Sequence, residues 1–523
     1  MIGTRVSKRA SSKPKRRSGS LGKRSVNTNI IMAWEDDPMS TDAKLVSVRV
    51  ADKLQQRFTI EIDGPQKLAI YKPGTDGFRY WNAFDALHRS VKFWRTTLER
   101  AKCRAKDWVP GSPIRVGLVE GDELNAYYDR KRLSFFRARV GGTVVYSGES
   151  PDVLAHELGH AVLDSIQRKL WAAASDEIAA FHESFADISS ICTALQLESL
   201  RRAAINETGV TFYGSSRVSR LAEQLGWAIR QVRADASEAD CLRNAVNTFC
   251  YQPPHTLPYD APSTMLSSEP HSFSRVFTSA FFGMLCNMFD GKRSGKPKAD
   301  ELLDVTNDAA VILVKAIEAA TVRGNFYNEV AQEMLVADQE TFSGEYEQAI
   351  RSSFVRRGIL PLRIHADWLA HKRSTQQSRP RRRAQRVAAI GNTASAAMVD
   401  ETEYSDFDVP DASENDDLRM LTLPGRDFGI QIDNLLVEAV EAQDYSYSAV
   451  PIAALGRNLD AEEEAKLFLE HLIRRSKVDL GNTGKNRGRE AHPMISNPHL
   501  LSRKTHALTA KGDTMVLERR LFE

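Results

Sequence analysis

The chain has 523 residues, 42% of them hydrophobic, which allows about three domains of ~100–200 residues with a sizeable buried core and excludes a wholly disordered chain. Its 71 Lys and Arg nearly balance 68 Asp and Glu, so a formal charge of +3 excludes any global field selecting nucleic acid or an anionic membrane. No run approaches the ~18 apolar residues of a membrane span, and no secretory apolar stretch follows the first charges. The five cysteines lack CxxC spacing, so neither a disulfide framework nor a thiolate zinc knuckle is encoded, and a reduced, cytoplasmic setting is expected.

Residues 1–43 open as a basic arm: Arg5, Lys8, Arg9, Lys13, Lys15, Arg16, Arg17, Lys23 and Arg24 precede the first acid, Glu35. Its composition is that of a solvated tail, with contact to nucleic acid or another polyanion as the functional alternative. From Lys44 the runs LVSVRV, FTIEI and KLAIYK, broken by Asp63-Gly64-Pro65 and Pro73-Gly74, predict a hairpin-rich sheet. Phe84, Leu87, Val91, Trp94, Leu98 and Ala101 recur at helical spacing within 82–101, and PIRVGLV and GGTVVYSG then read as strands. Beyond Ser150 the period is helical over 152–170, 176–197, 217–233, 272–289 and 305–320. A basic stretch (371–386) followed by an acidic one (401–417) predicts a charged linker over 371–419. The piece 420–523 offers an amphipathic helix at 460–476, a terminal MVLERRLF strand and no recognisable chemistry.

The chemistry sits at His156-Glu157-Leu158-Gly159-His160, within the helical run DVLAHELGHAVLD. Histidines four apart share a helical face and can reach one zinc ion, with the intervening glutamate placed as a base. A hydrolytic zinc needs a third protein ligand and an open position. Leu163 and Ile166 exclude the metzincin continuation. The next polar helix offers Glu177, His182 and Glu183. Only Glu183 has a carboxylate, Asp187, one turn on, able to take the free N–H of a ligating histidine, so Glu183 is the expected ligand and His182 the fallback.

These residues resemble the thermolysin-like gluzincin metallopeptidases. The run Gly148-Glu149-Ser150-Pro151-Asp152-Val153-Leu154-Ala155 looks like the family's approach to its active-site helix, and Glu183-x-x-x-Asp187 is similar to its NExxSD helix. Asn125-Ala126-Tyr127-Tyr128 resembles the family's edge strand, which holds substrate as an added strand. His271, in Glu269-Pro270-His271, resembles its oxyanion-stabilising histidine, with Glu269 or Asp260 as orienting carboxylate. The similarity covers about 45–360. Departures are a His160–Glu183 spacing of 23 residues (183 − 160), longer than is typical of the family, and Trp171 where the family has an oxyanion tyrosine, so that either the geometry shifts to use its bulkier indole N–H or Tyr213 substitutes. Ala194 stands in place of a calcium-binding glutamate, so structural calcium is not expected.

The resemblance implies an α+β, two-lobed zincin, with a β-rich lobe (44–164) ending in the active-site helix and a helical lobe (165–370). The implied activity is a zinc metalloendopeptidase. His156, His160 and Glu183 would hold Zn2+, Glu157 would act as general base, His271 and Trp171 as oxyanion donors, Asn125 and Ala126 as substrate-binding residues, and Asp187 as partner of a ligating histidine. The alternative is a non-catalytic or self-processing scaffold whose basic segments bind an acidic or nucleic-acid partner. The terminal piece is expected to act in targeting or restraint, in the second case by packing over the cleft where little room precedes residue 45 for an inhibitory prodomain.

Overall fold

The computed structural model describes residues 29–48, 57–209, 211–292, 295–361, 418–441, 459–480, 503–511 and 514–522. The basic stretches 1–28 and 371–386 and the acidic 401–417 lie outside the described residues. No helix among the described residues is long and apolar enough to cross a membrane.

The first described element falls inside the segment that composition assigned to the basic arm. Strand β1 (Asn29–Ala33) pairs antiparallel with β2 (Lys44–Val48) and buries Ile31 and Ala33, because the apolar run NIIMAW already begins a few residues after the last basic pair, Lys23-Arg24. Strands β3 (Ile60–Ile62), β4 (Ile114–Gly117), β5 (Ala126–Tyr128) and β6 (Arg132–Phe135) form a sheet of order β3-β4-β6-β5. Here the hairpin expectation fails. Strand β3 runs parallel to β4, and β4 parallel to β6. Helix α1 (Asp76–Ala101) crosses over between β3 and β4, its start capped by Thr75, so the turns near Gly64 and Gly74 lead into a crossover. The KLAIYK run is not a strand, and the Lys67 carbonyl accepts from the Trp81 indole and the Tyr71 hydroxyl instead of entering a ladder. The predicted stripe on α1 is buried from Phe84 to Ala101. Strands β7 (Arg137–Val140) and β8 (Thr143–Tyr146) do form a hairpin, turned by Gly141 and Gly142 at φ of +55° and +85°.

Helices dominate beyond Ser150: α2 (Pro151–Ile166), α3 (Asp176–Ala194), α4 (Glu198–Thr208), α5 (Glu223–Val232), α6 (Pro270–Lys292), α7 (Ala299–Ala319), α8 (Phe326–Phe342) and α9 (Glu347–Arg356). Helix α5 starts later than the 217–233 period suggests, because Arg220 and Leu221 (β9) pair with Arg243 and Asn244 (β10). Phe181 and Phe185 of α3, Phe273 and Phe277 of α6 and Tyr327 of α8 are fully buried around α3. The C-terminal piece holds more structure than one helix and one strand. Strands β11 (Leu418–Leu423), β12 (Leu435–Val440), β13 (Val478–Asp479), β14 (His506–Lys511) and β15 (Thr514–Arg519) make a sheet of order β11-β12-β15-β14-β13. Helix α10 (Ala461–Arg474) opens with an Asp460/Glu463 capping box and buries Ala465, Phe468, Leu469 and Leu472 in a cluster shared with that sheet.

Candidate metal centre

Small residues bring α2 and α3 unusually close. A Cβ on Gly159 would sit 2.8 Å from Ser189 Cβ and 2.9 Å from Ala186 Cα, so only glycine fits the crossing. The α3 hydroxyls then bind the α2 backbone: Ser189 Oγ donates to the Ala155 carbonyl at 2.8 Å and Ser190 Oγ to the Asp152 carbonyl at 2.7 Å. Ser189 in turn accepts from the Trp94 indole of α1 at 2.8 Å. This crossing carries the side chains of α3 to the histidine face of α2.

There His156, His160 and Glu183, all buried, place one ligand atom each within 4.8 Å of one another. The Nε2 of His156 lies 3.3 Å from Glu183 Oε2, and that of His160 lies 3.7 Å from Glu183 Oε1. His160 is fully buried, and among the described residues neither ring nitrogen has a hydrogen-bond partner. An orphaned imidazole beside a buried carboxylate suits a divalent cation, and two nitrogens with one oxygen suit zinc. Glu157 follows His156 on α2 and is also buried.

The supports around this group are specific. His156 Nδ1–H donates to Asp187 Oδ1 at 3.1 Å. Burial alone would lower the His156 imidazole, but its bonds to Asp187 and Glu183 raise it to about 9. Asp187 is itself gripped by Arg243, with Nε 3.0 Å from Oδ2 and Nη2 2.7 Å from Oδ1. Against the upward push of burial, that guanidinium holds Asp187 well below the usual carboxylate range. Burial and the neighbouring histidines push His160 far below its ordinary value and keep it neutral. His271, in the first turn of α6, directs Nε2 at Glu183 Oε2, 3.3 Å away, and is oriented by Glu269 on Nδ1 at 2.8 Å.

The remaining candidates fall as follows. Glu177 faces away, accepting from the Tyr251 hydroxyl and the Tyr327 amide, both at 2.7 Å. The His182 ring lies beside His160, with centroids 5.8 Å apart, but stacks on Phe522. Asp260 pairs with Arg233 and not with His271. Trp171, expected as an oxyanion donor, has its indole N–H donating to the Arg519 carbonyl at 3.3 Å and its ring packed on Tyr128. Tyr213 is no substitute: its hydroxyl accepts from Arg357 at 2.6 Å, beside Phe282. Asn125 and Ala126 stand at the start of β5, the edge of its sheet, with Asn125 Oδ1 accepting from Ala126 N. That edge is held to α2 by Asp164, which accepts from the Tyr128 hydroxyl at 3.1 Å and from Arg130 Nε at 2.9 Å.

Two features escaped the sequence reading. Arg243 sits in CLRNAVNTFC, which carries no periodic signal, and only the β9–β10 pairing brings it to Asp187. The second is a separate buried carboxylate group, Asp37, Asp152 and Glu223, whose ligand atoms also lie within 4.8 Å. The Ala194 position, on which calcium was judged, is not part of it.

No family model matches the chain, and no curated protein matches it. Among solved structures it is similar to the precursor of protealysin, a metalloproteinase from Serratia proteamaculans. The TM-score is 0.37 and the identity 14%, over 65% of this chain and 91% of that one. That likeness is too distant to carry function.

Proposed function

We propose that this chain is a zinc-dependent metallopeptidase of the two-lobed zincin type, with α2 and α3 meeting at the floor of its cleft. The observation that carries the reading is the convergence of His156, His160 and Glu183 to within 4.8 Å, with Glu157 beside them on α2. Zinc held by these three residues would supply a Lewis acid that acidifies water and polarises a peptide carbonyl. Glu157 takes the proton of the attacking water and returns it to the leaving amine. His271, oriented by Glu269, offers its Nε2–H to the negative charge that develops on the carbonyl oxygen, and loss of such a donor typically costs ~10²–10³ in rate. Asp187, locked by Arg243, fixes the His156 tautomer that leaves Nε2 free to ligate. A substrate peptide lies extended along the outer edge of β5, with Asn125 and Ala126 at the start of that edge.

The test is Glu157→Gln. Zinc content should stay at wild-type stoichiometry while chelator-sensitive peptide hydrolysis falls by at least ~10²-fold, because a base is removed and no ligand is. A variant that cleaves as the wild type does, or hydrolysis indifferent to chelator, overturns the proposal.

A further inference from the structure

The outer edge of β5 has an occupant in the chain itself. Phe522, just beyond β15, forms an antiparallel bridge with Tyr128: Tyr128 N–H donates to the Phe522 carbonyl at 3.0 Å, and Phe522 N–H to the Tyr128 carbonyl at 2.9 Å. A reciprocal pair of this kind is how an extended peptide adds to a sheet edge. The Phe522 side chain then enters the metal centre. Its ring stacks on His182 with centroids 3.8 Å apart and lies 5.2 Å from the ring of His160. It is 2% exposed.

The segment is fastened on both sides. Arg519 places its guanidinium 4.0 Å over the Phe522 ring and donates from Nε to the Trp171 carbonyl at 2.9 Å, while the Trp171 indole returns a bond to the Arg519 carbonyl. Arg503 forms a two-pronged ion pair with Glu123, at 2.8 and 2.9 Å, just ahead of β5. Across the centre, Arg475 donates to the Tyr259 carbonyl at 2.9 Å and to Ser268 Oγ at 2.8 Å, and His471 Nδ1 meets Asp176 at 2.5 Å at the start of α3. Ala174 N–H bonds the Glu438 carbonyl of β12 at 2.9 Å. Between Glu183, Glu269 and His271 on one side and Phe468, Leu472 and Phe522 on the other, a cavity of about 40 Å³ remains. At ~10–15 Å³ of such volume per water, it holds about three or four waters and no peptide side chain.

We propose that the C-terminal sheet β11–β15, helix α10 and the segment ending at Phe522 form a self-inhibiting cap, which fills the substrate position by adding Phe522 to the β5 edge and seating its ring against His182 and His160. The inference rests on the peptidase reading for the substrate position and for what is inhibited, while the seating of Phe522 on β5 is a property of the geometry alone. A substrate must displace the segment, so the apparent affinity for an extended peptide is reduced by the fraction of molecules in the uncapped state. The cap opens when the Phe522 seat or the Arg475 and Arg503 contacts are lost.

The experiment uses the full chain with Phe522→Asp, which breaks the seat, and Arg475→Ala, which loosens the far side without touching the metal group. A fluorescein-labelled peptide with a reduced, non-cleavable central bond is titrated by anisotropy, and the same peptide with an ordinary bond is assayed for hydrolysis. Zinc content and melting temperature are measured alongside. Both variants should bind the non-cleavable peptide at least ~10-fold more tightly than the wild type, as release of a cap closed ~90% of the time or more requires, and KM should fall in parallel. Tighter binding with no hydrolysis in any form sustains the cap and overturns the peptidase. Equal peptide affinity in all three proteins, at wild-type zinc content, overturns the cap. Should Phe522→Asp fail to fold, Phe522→Ala, which keeps the backbone pair and removes the ring, must tighten peptide binding in the same direction, and no change in it overturns the cap.

Discussion

Gly159→Ala tests the helix crossing on which the centre depends. The added methyl would lie 2.8 Å from Ser189 Cβ and 2.9 Å from Ala186 Cα, whereas carbon atoms rest at about 3.5–4.0 Å. One obstacle is backbone and cannot rotate away, so α2 and α3 must separate by roughly 0.6–1 Å. His156 and His160 ride on α2 and Glu183 on α3. Zinc–ligand distances tolerate about ±0.2 Å, so the strain falls on the ligand set. We expect a stability loss of about 1–3 kcal/mol from overpacking, at least ~10-fold weaker zinc binding, and hydrolysis reduced by ~10². Thermal melts and competition with a fluorescent zinc chelator measure the first two. The variant Gly159→Ala/Ser189→Gly should recover only part, since Ala186 remains. Wild-type melting temperature and wild-type zinc affinity in Gly159→Ala would refute the claim that this crossing sets the ligand geometry.

Three further outcomes follow from the site and its surroundings. Glu183→Ala should abolish zinc binding while Glu177→Ala keeps it, since Glu177 spends both oxygens on Tyr251 and Tyr327; zinc retained by Glu183→Ala and lost by His182→Ala would move the ligand one residue back. Asp187→Ala should weaken zinc affinity by ~10–100-fold without abolishing it, and Arg243→Ala should act in the same direction, both read by chelator competition. Burial and mutual repulsion raise Asp36 to about 7, Glu223 to about 8 and Asp152 well above the usual range. The folded chain therefore holds protons that the unfolded chain releases near pH 4. Stability from this group is present below about pH 4 and is lost as pH rises to about 8, so Asp36→Asn should melt higher than the wild type at pH 8 and equally at pH 4 in calcium-free buffer.

What the sequence revealed and what it hid follow from the range of the interactions involved. The metal motif is local: two histidines one helical turn apart need only α2 to share a face, so His156, Glu157 and His160 are legible without tertiary structure. Glu183 and Asp187 are legible because one turn of α3 carries both. The first sheet misled, because short strands and turn residues look alike whether the chain reverses in a hairpin or crosses over through α1. Arg243 gave no periodic signal, being placed by a two-residue strand pair.

The partners of Trp171 lie further still from anything a local pattern can express. Its indole meets a carbonyl 348 positions away in the chain. The sequence showed a bulky N–H donor near the second histidine of the motif and invited an oxyanion role, but the structure gives that donor to Arg519 and the ring to Tyr128 and Phe522. On the proposed cap reading the indole belongs to its seat, and replacing it separates the two roles. Trp171→Phe keeps an aromatic wall but removes the N–H. If the indole seats the cap, peptide binding should tighten by a few-fold, with kcat unchanged and zinc content intact. If it stabilises the oxyanion, kcat should fall by ~10²-fold with peptide binding unchanged. A fall in kcat of that size would return Trp171 to the catalytic group and leave Arg519 and Phe522 to hold the cap alone.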